Sequence, residues 1–245
     1  MAYSGPTYSL LFKMNKILMV LALLLPFLLT GQDDYMQARK KMVSQDIMTR
    51  GVKDKATLDA MEQVPRHLFV PKELETRAYQ DNPLPIGYGQ TISQPYIVAF
   101  MTEAIMPKSH YKVLEVGTGS GYQAAVLSGI VDSVFTVEIV SQLYLQAKQR
   151  LERLTYNNVV VKKADGYFGW ESKGPFDAII VTAAAEFVPP PLIAQLKEGG
   201  RMIIPVGTPF ATQQLLMVTK KDGKVKTRNL MFVRFVPFTR ASEGS

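Results

Sequence analysis

The sequence predicts an α/β fold in three layers, with N-terminal helices and a mostly parallel sheet that ends in an antiparallel C-terminal hairpin. The stretch YKVLEVGTGSGYQAAVLS, residues 111–128, joins an apolar strand to a helix through three glycines. Further apolar strands alternate with helical stretches as far as residue 206, which is typical of a parallel sheet. Beyond them, Asp222-Gly223 separates two segments of alternating hydrophobicity, a pattern that indicates a β-hairpin.

Length and composition limit the classes of protein and of chemistry. The 245 residues suit one α/β domain, and 47% hydrophobic with 20% charged residues is ordinary globular composition. Because the chain has no cysteine, thiolate catalysis, disulfides and cysteine-bound metal are excluded. The two histidines, His67 and His110, are too few for a histidine metal site, so we expect no metal. His67 is expected to fix the N-terminal segment rather than to do chemistry.

The N-terminal segment differs from the rest of the chain. Residues 16–29, KILMVLALLLPFLL, form an apolar run after Lys13 that is short and interrupted by proline. This run has the features of a secretory signal, and membrane anchoring is the alternative, with contact through residues 16–29. We therefore divide the chain into a signal-like or anchoring segment, residues 1–31, and a single domain, residues 32–245.

Basic residues are concentrated near the C-terminus. Between Lys220 and Arg240 the chain carries seven lysines and arginines and one acid, Asp222. Apolar residues alternate with these charges as they do in strands, and no nucleic-acid-binding motif accompanies them. A solvated hairpin is therefore favoured over a nucleic-acid surface, and no nucleic-acid partner is expected.

Two helices are predicted before residue 65. The first covers Gln37 to Thr49 and ends at Gly51, where a glycine can adopt the left-handed conformation that follows many helices. The second is capped by Asp54 and continues to Val64.

A third helix is predicted from Pro95, because proline is favoured at the first helical position. Ser93 and Gln94 then lie at the helix entrance, where backbone N–H groups without intrahelical partners favour an anion. A carboxylate could bind there.

The glycine stretch indicates a bound nucleotide-like ligand. Gly117, Gly119 and Gly121 follow the strand directly, and glycine allows both a tight turn and a close approach of ligand to backbone. Their Gly-x-Gly-x-Gly spacing departs from the Gly-x-Gly-x-x-Gly of dinucleotide folds, which argues against a hydride-transfer cofactor. A second strand, Val134 to Glu138, ends in an acid. The alternative is that the turn only connects a strand to a helix.

The remaining elements follow in alternation. Thr182, at the carboxyl end of its strand, should border the ligand cleft, because ligands bind outside these strand ends in open α/β sheets. The predicted elements are a helix over Ser141–Leu154, strands over Val159–Val161 and Pro175–Thr182, a helix opened by Pro189–Pro191 that holds Leu196 and is ended by Gly199-Gly200, and strands over Arg201–Val206, Gln213–Lys220 and Lys224–Val236.

Several segments carry a family resemblance. VPRHLFVP, then LPIGYGQTISQPYIVAFMTE, then VLEVGTGSGYQAAVLS, in this order and spacing, resemble the protein-L-isoaspartate O-methyltransferase family. The likeness continues through VKKADGYFGW and FVRFVPF and covers about Tyr35 to Thr239. It implies a class I, Rossmann-like methyltransferase fold, S-adenosylmethionine as cofactor, and a monomer. The implied activity is methylation of the α-carboxyl of L-isoaspartyl residues in damaged proteins, which initiates their repair through a methyl ester and a succinimide.

The resemblance implies a set of cofactor-binding residues. Glu138 would bind the two ribose hydroxyls, Asp165 would lie beside the adenine, and Glu115 would reach the methionine amino group through water. Asp165 as a turn cap and Glu115 as a structural acid are the alternatives. The full set is Glu115, Gly117, Thr118, Gly119, Ser120, Gly121, Glu138, Asp165, Gly166 and Thr182.

Ser93 is the active-site serine by the same resemblance. We expect it to orient the isoaspartyl carboxylate with uncharged donors, since this acceptor is already a nucleophile and needs no general base. The alternative is that Ser93 only caps the helix that begins at Pro95. An extended edge over Val233–Phe238 is expected to take the peptide, unless that edge packs under its own domain. The expected substrate-binding residues are Thr91, Ile92, Ser93, Gln94, Pro95 and Val233.

Two other functions remain open at this point. A methyltransferase of the same fold with another acceptor would share the glycine turn but has no reason to carry GQTISQP. An exported, non-catalytic binding module would explain the apolar N-terminus, because a periplasm is not expected to contain S-adenosylmethionine. The N-terminal segment therefore favours a periplasmic or exported protein, whereas the family default is cytoplasmic.

Overall fold

The computed structural model describes residues 34–241, and the strands dominate it. They are β1 (Leu84–Gly87), β2 (Gln90–Ile92), β3 (Lys112–Val116), β4 (Ser133–Glu138), β5 (Val159–Lys163), β6 (Phe176–Val181), β7 (Leu196–Val206), β8 (Gln213–Lys221) and β9 (Lys224–Val233). A seven-stranded sheet has the order β5-β4-β3-β6-β7-β8-β9. Strands β3 to β7 pair in parallel, whereas β8 and β9 pair antiparallel. The predicted fold class is confirmed.

Helices cover both faces of this sheet. They are α1 (residues 34–41), α2 (Lys55–Gln63), α3 (Pro95–Ala104), α4 (Tyr122–Ser128), α5 (Ser141–Arg153) and α6 (Pro190–Ala194). Successive strand residues point to opposite faces. Accordingly, Val113 packs in a cluster with Met101 of α3 and Leu127 of α4, and Leu114 packs in a separate cluster with Leu192 of α6. The result is a sandwich of three layers.

The predicted N-terminal helices are present, with local differences. After α1 the chain continues as a π-helix over Met42–Ile47 and a 3₁₀ turn over Met48–Arg50, and it ends at Gly51 with φ of 98°. Asp54 caps α2 by accepting the Thr57 N–H.

His67 contacts the start of the described chain. Its ring stacks on Tyr35 at 4.0 Å between centroids, and its Nδ1 lies 2.7 Å from the Tyr79 hydroxyl. This placement agrees with a role in fixing the N-terminal segment.

The prediction for Leu196 was wrong. We expected this residue in a helix ended by Gly199-Gly200, but α6 stops at Ala194 and Leu196 pairs with Phe176 at the start of β7. The glycines lie inside β7, where the register shifts so that Ala178 pairs with Arg201. A Cβ on Gly200 would lie 2.8 Å from the Lys197 carbonyl, so this irregularity requires glycine and not a helix end.

A second difference lies just before Ser93. Strands β1 and β2 form a two-stranded hairpin that the sequence did not predict, joined by Tyr88 and Gly89. Both joining residues have positive φ, 55° and 70°, which is the conformation of a two-residue hairpin turn. The hairpin leads directly from β2 into Ser93.

The expected signal or anchoring segment, residues 1–31, lies outside the described residues. Within residues 34–241, none of the helices is both long enough and apolar enough to cross a membrane.

Candidate active site

The glycine turn after β3 has the backbone that its sequence requires. Gly117, Gly119 and Gly121 all have positive φ, 98°, 52° and 87°. The Gly117 N–H donates to the carbonyl of Val137 at 2.9 Å, which ties the turn to β4. A Cβ on Gly117 would lie 2.4 Å from Oγ1 of Thr182. Both its conformation and its surroundings therefore demand glycine at position 117.

This turn borders a space at the carboxyl ends of the parallel strands that we call the inner cavity. Its volume is about 750 Å³, including the part that is open to solvent. The turn, the ends of β3 and β4, and residues 236–239 line it. Of the predicted cofactor residues, Gly121 and Asp165 do not line it, and the others do: Glu115, Gly117, Thr118, Gly119, Ser120, Glu138, Gly166 and Thr182. Gly121 instead precedes α4, where its Cα faces the side chain of Leu151.

Glu138 at the end of β4 is held by backbone donors. Its Oε2 accepts the N–H of Gly119 at 2.8 Å and its Oε1 accepts the N–H of Val140 at 2.8 Å. Each carboxylate oxygen can accept further hydrogen bonds, so the side chain can still bind hydroxyl groups from the cavity.

Glu115 is the most unusual acid on the cavity wall. It is fully buried, its Oε2 accepts the hydroxyl of Thr136, and its Oε1 has no hydrogen-bond partner among the described residues. Burial raises the pKa of Glu115 to about 8, and the hydrogen bond from Thr136 opposes this rise. A buried carboxyl with a free oxygen on a cavity wall can bind a cationic ligand group.

Both carboxylate oxygens of Asp165 accept hydrogen bonds from other groups of the protein. Its Oδ2 accepts hydrogen bonds from Nε of Arg240 at 2.9 Å and from the N–H of Ala241, and its Oδ1 accepts the N–H of Tyr167. Partial burial opposes ionisation of Asp165, but these hydrogen bonds outweigh it and hold its pKa below the ordinary value. The expected contact with adenine stays a prediction, and the neighbouring Gly166 forms the cavity wall.

A second space continues from the inner cavity toward solvent. We call it the outer groove, and it runs along residues 231–236 and past Ser93 and Gln94. The residues that line both spaces are Thr91, Ser93, Thr182 and Val236. Ser93 and Gly119 therefore face one continuous space from the same side of the sheet.

The other predicted substrate residues are divided between the two spaces. Ile92 lines the inner cavity, Gln94 and Val233 line the outer groove, and Pro95 lines neither. Ser93 does not cap α3. The N-cap residue is Gln94, and no side-chain hydrogen bond caps this helix. The capping alternative for Ser93 therefore does not hold.

Charge is separated between the two spaces. The charged residues on the wall of the inner cavity are two acids, Glu115 and Glu138. Those on the wall of the outer groove are Arg50 and Arg234. The four side chains shared by both spaces are uncharged, so a cation and an anion could meet there with only neutral groups around them. Residues 34–241 contain no cluster of three or more histidines and acids that could bind a metal ion.

Sequence reasoning missed one wall of the inner cavity. Residues 236–239 belong to what we call the C-terminal strap, residues 236–241. Only its first part, up to Phe238, was expected, either as part of an edge for a peptide or as an edge packed under its own domain. The strap is joined to the sheet by the N–H of Ala184, which donates to the carbonyl of Val236, and by the N–H of Phe238, which donates to the carbonyl of Ala184. No local pattern marks such a long-range pairing. Tyr122 also lines the cavity. It directly follows the glycine turn in the sequence, so its position beside the motif could have identified it.

Comparison with known proteins identifies relatives of this chain. Residues 37–243 match the family model described as protein-L-isoaspartate(D-aspartate) O-methyltransferase. A protein-L-isoaspartate O-methyltransferase 2 of Shewanella sediminis is 53% identical over 211 residues, which is 86% of this chain and 86% of that protein.

Two solved structures share the fold. One, a protein-L-isoaspartate O-methyltransferase, has a TM-score of 0.74 and 31% identity, and the match covers 81% of this chain and 65% of that structure's chain. The other, from Plasmodium falciparum, is a putative protein-L-isoaspartate O-methyltransferase in complex with S-adenosyl-L-homocysteine. It has a TM-score of 0.72 and 28% identity, with coverage of 83% and 99%.

Proposed function

The chain belongs to the protein-L-isoaspartate(D-aspartate) O-methyltransferase family, and we propose that it methylates the α-carboxyl group of L-isoaspartyl residues in damaged proteins. The methyl donor is S-adenosylmethionine. One observation carries the assignment of the site: Ser93 and the glycine turn line the same cavity, and Ser93 also lines the adjoining outer groove.

The inner cavity fits S-adenosylmethionine. Its wall combines apolar side chains with a small number of polar and charged groups, as is usual for sites that hold small molecules. The free Oε1 of Glu115 suits the ammonium group of the methionine part, and Glu138 suits the ribose hydroxyls. When bound, the cofactor supplies an electrophilic methyl group on a positively charged sulfur.

Ser93 holds the substrate carboxylate at the junction of the two spaces. The acceptor is anionic at neutral pH, so no group of the protein has to remove a proton from it. An arginine or lysine on this carboxylate would stabilise the ground state more than the transition state, in which the negative charge is disappearing. The hydroxyls of Ser93 and Thr91 are neutral donors, and they orient the carboxylate without that cost, whereas the Thr182 hydroxyl already donates to the backbone carbonyls of Val116 and Gly117.

The outer groove takes the peptide on either side of the isoaspartyl residue. Val233 ends β9, and the following residues continue along the groove in the direction of the inner cavity. An extended substrate can lie beside this edge and be recognised by its backbone. Enclosing the reacting groups also removes water, which would otherwise solvate the two opposite charges before they neutralise each other.

The methyl ester is the product that leaves the site. In the chemistry of the family, the backbone nitrogen that follows the isoaspartyl residue attacks the ester carbonyl and methanol departs, which leaves a succinimide. Hydrolysis of the succinimide returns part of the protein to the normal aspartyl linkage. The protein therefore initiates repair and does not complete it.

Methyl transfer to a matched pair of peptides tests this function. Labelled methyl from S-adenosylmethionine should enter an isoaspartyl peptide and not its aspartyl twin. Equal labelling of both peptides would favour another acceptor. Absence of S-adenosylhomocysteine binding in titration calorimetry would favour a non-catalytic binding module.

We also propose that residues 1–31 direct export or tether the enzyme to a membrane, since they follow the pattern of a basic start and an apolar run. The family default of a cytoplasmic enzyme is the alternative. Cell fractionation with N-terminal sequencing of the mature protein separates the two, because a first residue near position 32 supports export and an intact N-terminus in the soluble cytoplasmic fraction contradicts it.

The remaining expectations concern assembly and partners. The proposed state is a monomer without metal and without a nucleic-acid partner. Light scattering coupled to size exclusion, metal analysis of the purified protein, and a nucleic-acid binding assay test these three points.

A further inference from the structure

The side chain of Asp81 lies outside the inner cavity and binds the turn that contains Ser93. Its Oδ1 accepts the N–H of Tyr96 at 2.9 Å, and its Oδ2 accepts Nε2 of Gln94 at 2.7 Å and Nη1 of Arg50 at 2.8 Å. Nε2 of Gln94 also donates to the Asp81 carbonyl at 2.9 Å. The carboxylate thus binds the residues on the C-terminal side of Ser93 through both a side chain and the backbone.

Asp81 does not itself reach the reacting groups. It lines neither the inner cavity nor the outer groove, and its side chain is 16% exposed. Both donors of the Gln94 amide are used by Asp81, so this residue of the groove is oriented from behind. Any effect of Asp81 on the reaction must therefore pass through the groups that it binds, which are Gln94 and Tyr96 beside Ser93, and Arg50 on the wall of the outer groove. The double-mutant cycle below separates the two routes.

A buried arginine holds the other side of the same turn. Arg66 is fully buried, and its Nη2 donates to the carbonyl of Ser93 at 2.8 Å while its Nε donates to the carbonyl of Ala78 at 2.8 Å. The guanidinium lies over the ring of Tyr122, 4.7 Å from its centroid. Because Tyr122 begins α4 directly after the glycine turn, Arg66 connects the Ser93 turn to the cofactor turn.

We propose that Asp81 is a positioning residue for methyl transfer, fixing the Ser93 turn relative to the inner cavity through Gln94 and the N–H of Tyr96. This inference rests on the proposed role of Ser93. A displacement needs the acceptor oxygen in line with the methyl group, and a misplacement of about 1 Å can cost roughly a hundredfold in rate. With Arg66 on one side and Asp81 on the other, the Ser93 turn has two independent supports.

The position requires a carboxylate. Three donors on three different residues converge on two oxygens, whereas an asparagine offers one acceptor oxygen and an amino group that repels the other donors. Arg50 compensates the negative charge and also stacks on the ring of Tyr96 at 3.5 Å. The N-terminus of α3, which the carboxylate faces through Tyr96, favours the same charge.

The first experiment compares Asp81→Asn with Asp177→Asn. Asp177 is a matched control, because its carboxylate is 15% exposed, binds Nζ of Lys197 and accepts the N–H of Lys112, away from both spaces. We expect Asp81→Asn to lower kcat for an isoaspartyl peptide by roughly tenfold to a hundredfold. Its affinity for S-adenosylhomocysteine should stay within about twofold of the parent, because the glycine turn is intact.

Asp177→Asn should keep kcat even though it lowers the unfolding temperature to a similar extent. An unchanged kcat in Asp81→Asn, or an equal loss of kcat in both variants, would overturn the inference. If Asp81→Asn does not fold, Asp81→Glu serves instead, since it keeps the charge but shifts the oxygens by one methylene. It should lose kcat with the same retention of S-adenosylhomocysteine binding, and full activity would contradict the proposal.

A double-mutant cycle with Ser93→Ala decides whether Asp81 acts through Ser93. If it does, Ser93→Ala with Asp81→Asn should have a kcat within about twofold of Ser93→Ala alone, because the positioned hydroxyl is already gone. Losses that multiply would overturn the inference about Asp81 while leaving Ser93 in place. No loss in Ser93→Ala itself would instead refute the proposed role of Ser93.

Discussion

Arg240 of the C-terminal strap forms an ion pair with Asp165, and its Nε lies 2.9 Å from Oδ2 of that carboxylate. The guanidinium also lies over the ring of Tyr167, 3.8 Å from the centroid. Between this contact and the pairing with Ala184, the strap passes along the wall of the inner cavity. The ion pair thus holds the end of a segment that lines the inner cavity, the proposed cofactor site.

Removal of the ion pair between Arg240 and Asp165 should increase the dissociation rate of the bound cofactor. An exposed ion pair contributes about 0.2–1 kcal/mol and a cation–π contact about 0.5–1 kcal/mol, so Arg240→Met should raise the dissociation rate of S-adenosylhomocysteine roughly threefold to thirtyfold. Stopped-flow displacement measures the rate. Arg228→Met, on exposed β9 and away from both spaces, is the control and should leave it unchanged. A rate in Arg240→Met equal to the parent would show that the strap does not limit release.

Gly117 should tolerate no side chain. In Gly117→Ala the Cβ would lie 2.4 Å from Oγ1 of Thr182, in a backbone conformation with φ of 98°. Strain of this kind costs about 1–3 kcal/mol, so we expect lower stability and at least a tenfold loss of S-adenosylhomocysteine affinity. Calorimetry and thermal unfolding measure the two effects.

The matched control is Gly129→Ala, at the other end of α4. There φ is −75° and a Cβ would find its nearest neighbour at 3.7 Å, an ordinary contact. This variant should keep cofactor affinity. If Gly117→Ala bound the cofactor as well as Gly129→Ala does, the close approach of backbone to ligand would be disproved.

Cofactor binding should depend on pH through Glu115. Burial raises the pKa of this carboxyl to about 8, so it is mostly protonated in the free protein at pH 7, and a cationic ligand group favours the ionised form. Binding then releases a proton, and affinity for S-adenosylhomocysteine should weaken as pH falls below about 8, approaching tenfold per pH unit. Titration calorimetry in buffers of different ionisation enthalpy detects the proton.

Glu115→Gln should lose this pH dependence and bind more weakly at pH 8. Glu103→Gln should retain it, because the Glu103 carboxylate accepts the N–H groups of Lys53 and Asp54 and does not line the inner cavity. For the ligand-free protein, Glu115 contributes stability below the ordinary pKa of 4.5, and that contribution is lost as pH rises to about 8. The Glu115→Gln variant should therefore be relatively more stable at alkaline pH, and a parallel pH profile would contradict the assignment.

Arg234 should influence which peptides are methylated well. It is exposed, it lines the outer groove, and no acidic residue lines that groove. Arg234→Glu should raise KM roughly threefold to tenfold for isoaspartyl peptides with acidic neighbours and lower it for peptides with lysine neighbours, with kcat nearly constant. Because exposed charges are screened, the difference should shrink at high salt.

Steady-state kinetics on a pair of peptides that differ only in flanking charge provides the measurement. Arg228→Glu carries the same change of charge on β9 but does not line the groove, so it should alter KM less. Equal changes of KM for both peptides would mean that Arg234 does not contact the substrate.

Local rules account for the elements that the sequence alone predicted. The three glycines of the turn adopt positive φ, as their spacing predicted. Asp54 caps α2, and Asp222-Gly223 forms the hairpin between β8 and β9. In each case the dihedral angles and hydrogen bonds depend on residues only a few positions apart. For the same reason Gly117 and Gly119 lie on the wall of the inner cavity, while cofactor binding by the turn stays a prediction.

The features that sequence reasoning missed depend on residues far apart in the chain. Leu196 was assigned to a helix because its own neighbours favour one, but pairing with Phe176 of the parallel sheet overrides that preference. Arg240 meets Asp165 across 75 residues, and the strap reaches the cavity only because β8 and β9 extend the sheet beyond β7. The sequence by itself determined the fold class and the glycine turn, whereas the role of Ser93 stays a prediction. Only the tertiary structure decided which groups surround the glycine turn and Ser93. Contacts between segments that are distant in the chain depend on the packing of the whole sheet, and no local sequence pattern encodes them.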